Sequence, residues 1–169
     1  MTSHMAREVA EIPQASKRFL TESRPALQAA AAAMRGIDPG LIVTVARGSS
    51  DHAATYLKYA VELVAGVPVA SVGPSVASVY GRPLRLGGAV CVGISQSGRS
   101  PDILAQVEMA KRSGAMVVAL VNDITSPLAA LAQEPRALWI MLDDYPREPD
   151  AELDACFDRL LAAAAPSGV

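Results

Sequence analysis

Two short stretches carry hydroxyls, amides and glycines at a density that ordinary connecting loops do not need. The first is Arg47-Gly48-Ser49-Ser50-Asp51. The second is Ser95-Gln96-Ser97-Gly98-Arg99-Ser100, which runs into Pro101 and Asp102. In the second, Ser100 has the character of a helix N-cap, Pro101 suits the first helical position and Asp102 suits the positive helix end. The unpaired backbone N–H groups of such a helix start favour an anion. Neighbouring hydroxyls and the Gln96 amide add donors, and Gly98 can take a positive φ that lets backbone approach a phosphate. No lysine stands where a nucleotide-binding P-loop places one, so hydroxyls and amides would hold the anion. A sugar phosphate suits that set better than a triphosphate with magnesium. Serine and glycine are also common in plain capped turns, and the residues alone leave both readings open.

The elements around these loops set their geometry. LIVTVA at 41–46, VPVAS at 67–71, GGAVCVGIS at 87–95, MVVALV at 116–121 and RALWIML at 136–142 are short apolar runs bounded by turn residues, as buried strands are. Helical stretches alternate with them: 51–66, a short piece at 74–81, 101–113, 126–132 and 152–165. Ser126 and Pro127 mark the start of the fourth of these. Residues 5–35 add a helical arm, with Val9, Ile12, Ala15, Phe19 and Leu20 at helical spacing, Pro13 as a break and Pro25 as a kink or fresh start. Alternation of this kind predicts an α/β doubly wound parallel five-stranded sheet, an αβα sandwich. The expected division is an arm at 1–39, a core at 40–132 and a divergent strand-helix tail at 133–169. In such a sheet ligands bind beyond the carboxyl ends of the strands, which is where both loops fall.

Composition narrows the function further. Among 169 residues, 15 Lys and Arg face 17 Asp and Glu, and only 4 % are aromatic. There is no basic stripe with interleaved aromatic platforms, so nucleic acid is not the expected partner. The apolar runs at 29–34 and 114–121 fall far short of the ~20 residues of a membrane helix, and the first residues lack a signal-peptide layout. Cys91 and Cys156 read as small buried hydrophobes in a reducing, cytoplasmic setting. Asp143, Asp144 and Asp150 come without the His or Cys spacing of zinc or the loop of a calcium site, so neither a metal nor a cofactor is expected. Met34, Met109, Met116 and Trp139 fall at core positions.

REVAEIP at 7–13, ARGSSDHAATYLKY at 46–59, PSVASVYG at 74–81 and ISQSGRSPD at 94–102 resemble, in collinear order, the sugar isomerase (SIS) domain. The resemblance is to the first SIS repeat of SIS-type glucosamine-6-phosphate deaminases and of the isomerase half of glutamine–fructose-6-phosphate transaminases. It implies that Ser95, Gln96, Ser97 and Ser100 hold a phosphate, and that Gly48, Ser49 and Ser50 contact the sugar. Arg47 stands where relatives vary. It also implies pairing of domains through helices, hence a homodimer or higher oligomer. Such enzymes carry two repeats, and their proton-shuttling Glu, ring-opening His and C-terminal Lys lie in the second repeat and tail, without counterparts here.

A base would then have to come from this chain. His52 is on the first turn of a helix beside the sugar loop, and Glu62 lies further along the same helix. Lys58 and Glu62, four apart, also read as a solvated ion pair, which is the favoured reading of Glu62. The leading expectation is a phosphosugar-binding domain acting as a sensor or regulator. The rivals are a single-repeat isomerase or deaminase that completes its site across a homodimer, and a remnant of a longer enzyme.

Overall fold

The structure, a computed structural model, describes residues 4–132. Two helices lead, α1 (His4–Glu22) and α2 (Arg24–Ile37). They are followed by β1 (Ile42–Val45), α3 (Ser49–Ala65), β2 (Val69–Ser71), α4 (Ser75–Ser78), β3 (Val90–Ser95), α5 (Pro101–Arg112), β4 (Met116–Val121) and α6 (Pro127–Leu131). The four strands pair in the order β2-β1-β3-β4, and every pairing is parallel. Val43 lies beside Ala70 on one side and Cys91 on the other, and Cys91 beside Val117.

Every residue of β1, β3 and β4 is buried, which is why these strands are unbroken apolar runs rather than alternating ones. Alternate residues serve two cores. On one face Val43, Val45, Cys91, Val117 and Val121 pack with Ile103, Val107 and Ala110 of α5 and Leu128 of α6. On the other, Ile42, Val90, Val92, Ile94 and Val118 meet Ala30 of α2 and Ala54 of α3. Cys91 is fully buried, and loss of solvent pushes its thiol up to about 12, so it behaves as an inert hydrophobe.

The fold is the expected α/β parallel sheet with four strands among the described residues; the fifth expected strand, at 136–142, lies outside them, as do Trp139 and the acidic residues 143–150. The leading helices depart from the expectation at one point. Pro13 does not break α1, which runs through it. A proline there removes one hydrogen bond of the ladder and crowds the carbonyl four residues back, and α1 continues for nine residues on either side of it. Pro25 does mark a fresh start, in the first turn of α2. With Ala30 buried and Leu27, Ala33 and Met34 packed against the sheet, α2 is a covering layer of the core.

Candidate functional site

Strand order explains why two loops far apart in sequence form one site. From β1 the chain crosses through α3 to β2 on one side; from β3 it crosses through α5 to β4 on the other. The two crossovers diverge between the adjacent strands β1 and β3, leaving a crevice at their carboxyl ends. Residues 46–51 and 95–100 form its two lips. The structure thus brings Gly48, Ser49 and Ser50 to the same end of the sheet as Ser95, Gln96, Ser97 and Ser100.

Each lip is built by its own backbone. Gly48 takes φ 63° and ψ −136°, a conformation that is close to glycine-only, and turns the chain into α3. Ser49 is exposed and Ser50 buried on the first turn of that helix. In the other lip the buried Ser95 Oγ accepts from the Gly98 amide at 3.2 Å, and the Ser97 Oγ accepts from the Arg99 amide at 3.3 Å. Both hydroxyls therefore keep their own O–H to donate. Ser97 and Gln96 are exposed. Ser100 occupies the N-cap position of α5 in extended geometry, but its hydroxyl makes no capping bond. Of the first α5 residues, Pro101 has no N–H, and the amides of Asp102 and Ile103 stand ahead of the first helical bond, from Leu104 to the Ser100 carbonyl at 3.0 Å.

Sequence reasoning missed the ties that hold the lips. Arg47 Nη1 donates to Asp102 Oδ2 at 2.9 Å, joining residues 55 apart across the crevice. Arg99 Nη2 donates to Asp123 Oδ2 at 3.0 Å, fastening the 95–100 loop to the turn after β4. Asp123 also accepts from the Thr125 hydroxyl at 2.6 Å and the Thr125 amide at 2.8 Å. The Gly98 carbonyl accepts from the Leu128 amide at 3.1 Å, and the Gln96 carbonyl from the Asn122 amide at 3.3 Å. The only hint of these in the sequence was Asp-Ile-Thr at 123–125, an Asx-type turn pattern.

The hydrogen bonds from Thr125, and then Arg99, hold the Asp123 carboxyl below its usual range. A carboxyl depressed in the folded state adds stability that is present above its unfolded value and lost as the pH falls through the folded one. The stability gap between the parent and Asp123→Asn is therefore expected to be full at about pH 6 and to shrink as the pH falls below the ordinary carboxylate range, at about pH 4. Urea midpoints of both proteins across that range measure it; a gap that stays constant would mean that the Asp123 charge does no holding.

The two candidate bases are placed very differently. His52 is exposed on the first turn of α3, two residues past Ser50. Glu62 is 62 − 49 = 13 residues beyond the start of that helix, ~20 Å along its axis. There it pairs with Lys58 and accepts from the Val69 amide at 3.0 Å, while Lys58 donates to the Val69 carbonyl at 2.8 Å. The Lys58 hydrogen bond and then the Val69 amide hold its carboxyl low. Glu62 ties α3 to the start of β2 at the opposite end of the sheet and does not reach the crevice.

Comparison with known proteins assigns this geometry. Residues 37–143 match the family model of the SIS domain. The chain belongs to the SIS domain family. A candidate phosphosugar isomerase from Silicibacter pomeroyi, known from its crystal structure, is 46 % identical with a TM-score of 0.75, over 96 % of this chain and 48 % of its own. The glutamine–fructose-6-phosphate aminotransferase (isomerizing) of Symbiobacterium thermophilum is 31 % identical over 147 residues, 80 % of this SIS chain but 23 % of that enzyme. Phosphoheptose isomerase GmhA from Neisseria gonorrhoeae shares the fold at 23 % identity and a TM-score of 0.56, matched over 92 % of its length. This SIS chain thus spans a small part of the curated enzymes it matches. Among the described residues no helix is long and apolar enough to cross a membrane, and no cluster of His, Cys, Asp and Glu could hold a metal ion.

Proposed function

We propose that this SIS domain binds a sugar phosphate, with the phosphate on the 95–100 lip and the sugar against Gly48, Ser49 and Ser50. The observation that carries the reading is convergence: both hydroxyl-rich lips meet at the switch point of the sheet, one of them opening into the N-terminus of α5. Ser95, Ser97 and Ser100 offer O–H donors, Gln96 its amide, and the first turn of α5 its backbone N–H groups. A phosphate monoester satisfies donors of this number and spread without a bound metal.

Fructose-6-phosphate, the sugar phosphate in the name of the aminotransferases it resembles, and its aminosugar counterpart glucosamine-6-phosphate are the ligands to test. The protein acts as a binding domain, a sensor or regulator, working in the cytoplasm as a homodimer or higher oligomer. The second reading, turnover by a homodimeric isomerase or deaminase, draws support from His52, whose exposed ring lies beside the sugar lip. Glu62 takes no part in it.

Ser97→Ala tests the phosphate loop. Loss of one hydrogen bond to a charged group is worth about 1–2 kcal/mol, so the Kd for glucosamine-6-phosphate is expected to rise about 5- to 30-fold. A variant that binds as tightly as the parent would place the phosphate elsewhere.

A further inference from the structure

Three polar side chains, Arg47, Asp102 and Gln106, form a line that the phosphate cradle as described leaves unused. Arg47 is mostly exposed, and its bond to Asp102 Oδ2 occupies one of five guanidinium donors. Asp102 is the second residue of α5, so a guanidinium bonded to it stands beside the helix start where the anion is expected. The other carboxylate oxygen, Asp102 Oδ1, is buried, and among the described residues it has no hydrogen-bond partner. One helical turn on, Gln106 is 1 % exposed, and its Oε1 is equally unpartnered.

Residues four apart on a helix share a face, and side chains lean toward the helix N-terminus, so Gln106 extends along α5 toward Asp102. Both acceptors are buried on one helix face without a donor, and Gln106 carries one. Its amide, turned end for end, presents Nε2–H to Asp102 Oδ1 and removes Oε1 from a spot without a donor. In that orientation Gln106 would hold Asp102 from within the helix, while Arg47 holds it across the crevice. Arg99, the other guanidinium of the lips, is bonded to Asp123 in the turn after β4.

We propose that Arg47 is the cation that contacts the phosphate of the bound sugar phosphate, and that Gln106 is a positioning residue that acts on it through Asp102. The inference rests on the sugar-phosphate reading of the site and adds a charged ligand to a cradle otherwise made of hydroxyls and amides. Arg47 also neutralises Asp102, whose carboxylate would otherwise face the phosphate from the same helix turn.

Titration of the parent, Arg47→Ala, Arg47→Lys, Gln106→Leu and Arg47→Ala/Gln106→Leu with glucosamine-6-phosphate and inorganic phosphate tests it. Arg47→Ala is expected to raise the Kd for both ligands about tenfold or more, and Arg47→Lys less. Gln106→Leu is expected to raise it about threefold or more in the parent, but to add nothing once Arg47 is gone. A purely structural Gln106 would not show that non-additivity. Thermal melts verify that each variant is folded. Arg47 is exposed, so its variants decide the cation even where Gln106→Leu impairs folding. A parent that binds while Arg47→Ala binds equally well overturns this inference alone. A Gln106→Leu effect that persists undiminished in the Arg47→Ala background overturns the relay. A folded parent that binds neither ligand overturns the sugar-phosphate reading, and this inference with it.

Discussion

Replacing Gly98 by alanine is expected to cost about 2–5 kcal/mol of folding stability, a large part of what a domain of this size has. Two independent causes add. Gly98 sits at φ +62°, where a side chain strains the backbone. A Cβ built there would also lie 2.3 Å from Ser126 Oγ and 2.6 Å from Ser126 Cβ. Ser126 cannot yield easily: it is fully buried, and its Oγ accepts from the Ala129 amide at 3.3 Å, capping α6. Because the Gly98 carbonyl also receives the Leu128 amide, the 95–100 lip is docked directly on the first turn of α6. The same substitution is therefore expected to weaken ligand binding in whatever fraction still folds. Urea denaturation measures the first effect. The double variant Gly98→Ala/Ser126→Gly separates the causes, recovering the steric share and leaving the backbone share. Stability of Gly98→Ala within about 0.5 kcal/mol of the parent would mean that the lip is not packed in this way.

Gly48→Ala isolates the backbone cause. Its φ of 63° is as unfavourable, yet a Cβ there meets nothing within 4 Å. Strain alone predicts a cost of about 1–3 kcal/mol. The loop has room around it, so the chain can relieve the strain by re-routing, which swings Ser49 and Ser50 away from the crevice. The expected outcome is a loss shared between stability and sugar-phosphate affinity. Denaturation and titration of the same preparation give both numbers, and an alanine accepted without loss in either would refute the assigned conformation. Between them the glycines show that one lip is held by packing and the other by its own dihedral angles.

What the sequence made legible follows the range of the interactions. Runs such as Val90–Ser95 and Met116–Val121 announce buried parallel strands because both faces must be apolar. Ser126 followed by Pro127 announces a capped helix, since the cap is made three residues away. Ser100 and Pro101 have the same local signature and mark a helix start equally well, yet the Ser100 hydroxyl makes no cap. The signature fixes the position of the cap residue without fixing its bond. Gly98 was legible as a loop glycine suited to approach by a phosphate; the contact that demands it, with Ser126, depends on how α6 returns to the sheet. The Arg47–Asp102 pair, between residues 55 apart, was out of reach of any local pattern. Asp102 taken alone reads as a residue favoured by the helix dipole, and Gln106 as one more helical position. Glu62 shows the reverse: the i,i+4 pairing with Lys58 was local and legible, and the structure adds the bonds of both side chains to the backbone of Val69.

The site is accordingly a crevice whose position is dictated by strand order and whose donors come from two glycine-turned lips tied together by Arg47 and Asp102. These donors are proposed to hold a sugar phosphate. Calorimetric titration of the folded parent protein with glucosamine-6-phosphate and fructose-6-phosphate tests that claim most directly. Saturable one-site binding of at least one of them, weakened by Ser97→Ala, is the predicted result. A folded protein that shows saturable binding of neither would contradict the account.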